Sequence, residues 1–332
     1  MTTEKGSYPF FQAPSRVVLA YSGGLDSSVA IRWLAEQRGA EVIATTLDLG
    51  QGKDVLEEIR DRALAIGALR AHVVDARDAY VRDHLVRGLK AGVLRHEGAS
   101  MAGPLAWPLI AQKLVEIARI EQAGAVAHAD RAGHGAAIEQ TARAIDPALV
   151  VLAPAGEWDM SRAELVAYAD EQHVLLPAPM IGGVAARSTA RLPGEPAFVD
   201  LGFDRGVPIA INGVVMNTPD LIASLDILAG AHGAAEGALA ALHMAHAALR
   251  EMAIAADARP FAARVADEYV RLLREGGWYS RARQALDAYV DAIEHEVSGV
   301  ARLQLFNGAC TIASCRLALK PAPIALAKAS RS

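Results

Sequence analysis

The stretch Val17-Val18-Leu19-Ala20-Tyr21-Ser22-Gly23-Gly24-Leu25-Asp26-Ser27-Ser28 decides how the rest of the chain is read. A short apolar run ends in two glycines, and Ser27 to Leu34 then continue with a helical pattern, so a buried strand is predicted to turn sharply into a helix N-terminus. The first N–H groups of a helix have no partner inside it, and the macrodipole adds partial positive charge at the same place. Gly23 and Gly24 let the main chain approach a ligand with no Cβ in the way. The hydroxyls of Ser22, Ser27 and Ser28 are donors suited to phosphate oxygens. No Gly-Lys-Ser/Thr ending follows, so this is not a Walker loop. The structural alternative is a serine-capped turn whose glycines serve only tight packing.

Outward from that turn, strand and helix patterns alternate. Glu41 to Asp48 and Ala71 to Asp75 are β-rich runs, with a helix face at Val55, Ile59, Ala63 and Ile66 between them. Tyr80 to Leu94 and Leu109 to Gln122 are predicted helices, and Ala125 to His128 and Leu149 to Ala153 a fourth and a fifth strand. Ser161 and Glu164 form a capping box that opens a helix running to about Gln172. This grammar predicts an α/β fold with a doubly wound parallel sheet, whose ligands bind at the carboxyl ends of the strands.

From about Pro177 the pattern changes. The segment 178–196 is rich in Gly, Pro and Ala and is expected to be a linker or substrate loop. Phe198 to Phe203 and Pro208 to Ile211 are predicted strands, with Asn212-Gly213 as a hairpin signal. Four helices are expected over 220–231, 236–256, 261–275 and 281–297. Two further strands flank Asn307-Gly308, another hairpin signal. The expected organisation is a tail (1–14), an α/β domain that carries the glycine turn (15–177), a second, α+β domain (178–319), and a C-terminal tail (320–332).

Composition narrows the function classes. The 332 residues carry a net charge of −5, which offers no basic footprint for nucleic acid. The first 14 residues contain no apolar signal-peptide core and no later run is long enough to span a bilayer, so a cytoplasmic protein without membrane attachment is expected. Cys310 and Cys315 are the two cysteines. In one regular strand they would lie about 16 Å apart on opposite faces, too far to bridge, and they are read as reduced core thiols ahead of a redox or sulfur-carrier role. His243 and His246 share a helix face without a third ligand nearby, so a metal site is not expected there. Trp107 and Trp158 are read as packing residues, and Trp278-Tyr279, at a helix break, as candidates for an interface.

The block Ser22-Gly23-Gly24-Leu25-Asp26-Ser27 resembles the pyrophosphate loop of the N-type ATP pyrophosphatases. With Glu41 to Gly52, Lys113 to Arg119, Ala127-His128, Trp158 to Pro177, Gly202 to Gly213 and Tyr269 to Gly308 included, the chain is similar to argininosuccinate synthases. In that family ATP adenylates the ureido oxygen of citrulline, and the amine of aspartate then displaces AMP. The resemblance implies an AMP-forming C–N ligase with ATP held by Ala20, Tyr21, Ser22, Gly23, Gly24, Leu25, Asp26, Ser27 and Ser28. Leu47 would line the adenine pocket, and Ala129 stands where the family has a phosphate-side glycine. Ser22 and Asp26 would be the catalytic positions. Asp26 is either the Mg²⁺ ligand or a carboxylate held by the helix dipole. The resemblance also implies that 15–177 is the nucleotide-binding domain, that 178–319 serves substrate binding and oligomerisation, and that the protein is a homodimer or homotetramer.

The substrate half departs from the family pattern. Where the family has Tyr-x-x-Gly-Thr-Ser-x-x-Arg-Pro, residues 99–108 read Ala-Ser-Met-Ala-Gly-Pro-Leu-Ala-Trp-Pro. The family's His-Gly-Ala-Thr-Gly-Lys-Gly-Asn-Asp becomes His-Ala-Asp-Arg-Ala-Gly-His-Gly over 128–135. Of the citrulline-contacting serines, Ser188 beside Arg187 has a counterpart. Arg131 is read as a phosphate or carboxylate contact or as a solvated charge, and His134 as an acid–base group or a surface histidine. The expectation is a ligase for an amino-acid-like or ureido substrate and an amine, other than citrulline and aspartate. The alternative is a non-catalytic nucleotide-binding paralogue acting as a sensor or partner.

Overall fold

The structure, a computed structural model, describes residues 15–131, 135–158, 160–176, 193–234 and 237–318. The chain begins with β1 (Arg16–Ala20), α1 (Leu25–Arg38), β2 (Glu41–Asp48), α2 (Lys53–Ile66) and β3 (Arg70–Asp75). Then come α3 (Arg77–Tyr80), one π turn (Val81–Leu85), α4 (Val86–Lys90), a small hairpin of β4 (Arg95–His96) and β5 (Ala99–Ser100), and α5 (Ala102–Glu121). β6 (Ala125–Ala127), α6 (Gly135–Ile145), β7 (Val150–Leu152), α7 (Pro154–Glu157) and α8 (Arg162–Glu171) follow.

The first sheet is parallel throughout, in the order β3-β2-β1-β6-β7. Its central strand is buried on both faces, which is why Val17, Val18 and Leu19 form an uninterrupted apolar run. Val17 and Leu19 pack with Val29, Ile31 and Leu34 of α1, Ala63 of α2 and Leu165 of α8. Val18 packs on the opposite face with Leu114 and Val115 of α5 and Ile138 of α6. This is the doubly wound α/β arrangement. The strand order reverses between β1 and β6, so the ligand edge expected of such a sheet lies where those two strands end.

The other strands and helices are β8 (Ala197–Asp204), β9 (Val207–Ile211), β10 (Val214–Val215), α9 (Thr218–Ala231), α10 (Gly237–Ala253), α11 (Arg259–Arg274), α12 (Arg281–Glu294), β11 (Gly299–Phe306) and β12 (Ala309–Leu317). A second, antiparallel sheet runs β10-β9-β8-β11-β12, with α10 packed on β11 and β12. Asn212-Gly213 and Asn307-Gly308 turn its hairpins with positive φ at both residues, as their sequences predict. Arg205-Gly206 does the same without the Asn or Asp that would have flagged it.

Backbone contacts divide the chain into two compact units, Met1–Ala190 with Arg264–Asp287, and Arg191–Ala263 with Ala288–Ser332. The chain thus passes between the units more than once, where the sequence suggested a single division after 177. The helix expected over 80–94 is interrupted by the π turn and stops at Lys90. α5 starts at Ala102 rather than Leu109 and runs through Pro104 and Pro108. Pro104 sits in the first turn, where no backbone donor is needed, whereas Pro108 removes an interior hydrogen bond. α6 had no sequence expectation at all; its inner face is largely Ala137, Thr141 and Ala142 beside Ile138, too small and mixed to give a clear apolar period.

Cys310 and Cys315 correct another expectation. The register of β11 with β12 shifts between Arg302 and Leu303, so Cys310 faces Leu305 while Cys315 faces Ala301. Leu305 and Ala301 share a face, and the bulge therefore brings both thiols to the same side. Both are free, and burial raises the pKa of each above that of an ordinary thiol.

Candidate nucleotide site

The loop after β1 is suspended from β2. Tyr21 N–H donates to Thr45 O at 2.9 Å, and Thr46 Oγ1 donates back to Tyr21 O at 2.8 Å. Gly23 has φ +76°, and a Cβ there would lie 2.9 Å from Ile59 Cγ1, so the position requires glycine for both conformation and space. α1 then begins at Leu25 behind an extended Gly24 that carries no side-chain cap. Its first N–H groups are left without intrahelical acceptors.

The hydroxyls divide by depth. Ser22 is exposed and Ser27 lies beneath it, with their oxygens 3.2 Å apart and Ser27 Oγ donating to Gly24 O at 3.1 Å. Ser28 is 0% exposed and lies 3.2 Å from the Tyr21 hydroxyl; it braces the loop from within and does not face the opening. Burial raises the Tyr21 pKa despite that contact, which keeps the hydroxyl protonated. Ala20 ends β1, and Leu47 is buried near the end of the adjacent β2. Beyond Leu47, Gln51 Nε2 donates to Leu47 O at 2.9 Å and Gly50 N–H donates to Asp48 Oδ1 at 2.9 Å.

Arg62 was not anticipated. Its Nη1 donates to Gly23 O at 3.2 Å from below the loop, and it pairs with Glu58 one turn earlier. In the sequence it is one charge of an i,i+4 pair on an amphipathic helix, and nothing distinguishes it from a solvated residue.

β6 pairs with β1 in parallel, Leu19 opposite Ala127, so the segment after β6 emerges at the same edge as the loop. Here His128 is 3% exposed. Its Nδ1 accepts from Asp130 N–H at 3.3 Å, and its Nε2 lies 3.3 Å from Glu139 Oε1. Gly135 N–H donates to Asp130 Oδ2 at 2.9 Å, and a Cβ on Gly135 would collide with the His128 ring. Ala129 packs against the α1-side core. Arg131 donates from Nη2 to Met160 O and brings Nη1 to 3.6 Å from Asp26 Oδ1.

Asp26, in the first turn of α1, is thus paired to a cation across the site. Its Oδ1 is shielded from solvent and has no hydrogen-bond partner among the described residues. That donor set fits a divalent cation held by one protein carboxylate and the phosphates it accompanies, a usual arrangement for Mg²⁺. No group of three or more His, Cys, Asp or Glu suited to a metal occurs among the described residues. Arg187, Ser188 and His134 lie outside the described residues.

Away from this edge, His246 is buried with its Nε2 2.7 Å from Glu294 Oε2. Trp158 packs edge-on against Trp33 in the α1-side core, and Trp107 packs against the opposite one. Trp278, read from sequence as an interface residue, is 1% exposed and belongs to the interior of the first unit. It stacks on His84 with ring centroids 5.1 Å apart and lies under the Arg283 guanidinium. Desolvation, opposed by Asp83, lowers the His84 pKa to about 4. No described helix is long and apolar enough to cross a membrane.

Comparison with known proteins finds one family in both halves of the chain. The family described as Arginosuccinate synthase N-terminal HUP domain matches residues 16–175, and Arginosuccinate synthase C-terminal domain matches residues 234–319. Argininosuccinate synthase of Bacillus mycoides (strain KBAB4) is 33% identical over 343 residues, covering 88% of this chain and 85% of that protein. Argininosuccinate synthase of Gloeobacter violaceus (strain ATCC 29082 / PCC 7421) is 35% identical over 350 residues, 90% of this chain and 87% of that protein.

Proposed function

Because the chain belongs to the argininosuccinate synthase family, which comprises ATP-dependent ligases, we propose that it adenylates a ureido or carbonyl-type oxygen on a substrate other than citrulline. The acceptor oxygen attacks the α-phosphorus of ATP, the bond to the β-phosphate oxygen breaks, and pyrophosphate leaves. An amine then attacks the activated carbon and releases AMP. The reading includes a homodimer or homotetramer, Mg²⁺ as the metal, and a cytoplasmic protein.

One observation carries it. Ser22, Ser27 and the uncapped start of α1 converge at the strand-order reversal, with Asp26 in the first helical turn. Backbone N–H groups and the α1 dipole would hold the leaving phosphates. Catalysis then rests on positioning and on neutralising charge that develops on pyrophosphate. A bound Mg²⁺, held by Asp26, would supply further neutralisation.

The altered acceptor is supported by residues 99–108, where the family's tyrosine, Thr-Ser pair and arginine are replaced. Each missing hydrogen bond to a charged group is worth about 1.5–3 kcal/mol, so several together remove micromolar to millimolar affinity for citrulline and aspartate. Purified protein with ATP, Mg²⁺ and a panel of ureido, amide and carboxylate acceptors, citrulline with aspartate among them, tests the reading. Pyrophosphate release is expected with at least one acceptor and not with the citrulline–aspartate pair.

The second reading, a nucleotide-binding protein without turnover, has one observation in its favour: Asp26 already faces an internal cation, Arg131. ATP bound yet recovered intact with every acceptor would favour it.

A further inference from the structure

A triphosphate brought to the start of α1 meets Asp26, a carboxylate in the first helical turn, and a cation is needed between the two anions. This chain places one there. Arg131 Nη1 stands 3.6 Å from Asp26 Oδ1, close enough for an ion pair but outside hydrogen-bond range, and both side chains are about one-third exposed. The guanidinium has five N–H donors in a fixed fork suited to phosphate oxygens.

Its placement is built by the backbone around it. Asp130 N–H is held on the buried His128, and Asp130 in turn holds Gly135 N–H at the start of α6. Arg131 itself is tethered to Met160 O. A solvated loop charge has no need of such a clasp, and the pairing of β6 with β1 aims the segment at the phosphate loop.

We propose that Arg131 is a phosphate-directed positioning residue, exchanging its ion pair with Asp26 for the β- and γ-phosphates of bound nucleotide. The inference rests on the ATP-binding reading above and adds a consequence. Because the cation is part of the chain, nucleotide binding persists without a divalent metal, and Asp26 is released toward a metal only once the phosphates have engaged Arg131.

Isothermal titration of the whole protein with a non-hydrolysable ATP analogue, in EDTA and in Mg²⁺, tests this, with AMP as the probe lacking the β- and γ-phosphates. In EDTA the unaltered chain binds the analogue. Arg131→Ala weakens that binding about 10- to 100-fold, Arg131→Lys recovers part of the loss, and AMP affinity is unchanged. Asp26→Asn, which removes the competing carboxylate, strengthens analogue binding in EDTA. Unaltered affinity in Arg131→Ala, or an equal loss for AMP and the analogue, overturns the proposal while leaving ATP binding intact. Absence of analogue binding by the unaltered chain in both buffers overturns the ATP-binding reading and this inference together. Matching thermal melts for the variants separate a lost contact from a lost fold.

Discussion

Gly23 holds φ at +76° with no room for a Cβ beside Ile59, so the loop between β1 and α1 depends on the absence of a single methyl group. Gly23→Ala is expected to cost about 1–3 kcal/mol of strain and to lower nucleotide affinity, since the strain relaxes by moving the loop off Arg62 and Ile59. Chemical denaturation and nucleotide titration of the variant measure the two effects. His84 gives a prediction in pH. An unfolded histidine takes up its proton near 6.5, and the buried ring does so near 4. Between those values the unfolded chain binds more protons, so the stability tied to neutral His84 is complete above about 6.5 and is lost as pH falls toward 4, up to about 3 kcal/mol. His84→Phe keeps a ring against Trp278 and should flatten this part of the stability–pH curve. An unchanged slope would place the proton uptake elsewhere.

Among the elements, α12 illustrates how the second unit is fastened. Its last residue, Glu294, is 0% exposed. It receives His246 and Arg250 from α10, the arginine 2.8 Å away. Removing one member of a buried ionic group leaves the others uncompensated, so Glu294→Ala is expected to cost about 3–5 kcal/mol in urea unfolding. Glu294→Gln, which preserves an acceptor for His246, should cost less. α8 offers a smaller test at its own end. Ser161 and Glu164 form a reciprocal capping box, legible in the sequence because cap residues act locally. Ser161→Ala should remove about 1 kcal/mol. The π turn at Val81–Leu85 had no such local signature; its apolar spacing suits an ordinary helix, and the packing of His84 on Trp278 accompanies the wider turn.

At the scale of the molecule, the first unit is not a contiguous piece of chain. Arg264–Asp287 belongs to it. Trp278 stacks on His84, the Gly276 backbone lies against α6, and Tyr279 donates to Gln112 of α5 at 2.8 Å. A fragment ending at residue 176 would therefore expose the Trp278 contact surface. It should show weakened near-ultraviolet dichroism and bind a hydrophobic dye, and joining residues 264–287 through a flexible linker should reverse both. A fragment that folds as cooperatively as the intact chain would contradict this.

The parallel sheet, the glycine turn between β1 and α1 and the two Asn-Gly hairpins were legible in the sequence because each rests on local chemistry: an apolar run buried on both faces, glycines where a Cβ is excluded, and residue pairs that accept positive φ. The substitutions over 99–108 and 128–135 were equally visible, since they are changes of residue type. Tertiary structure alone decided the partners. Arg62 under Gly23, Arg131 across from Asp26, Trp278 on His84 and the common face of Cys310 and Cys315 are set by packing between segments distant in sequence, or by one bulged residue that shifts strand register. Pairwise geometry of that kind leaves no periodic trace along a chain, because the type and spacing of a residue do not specify which distant side chain it will meet.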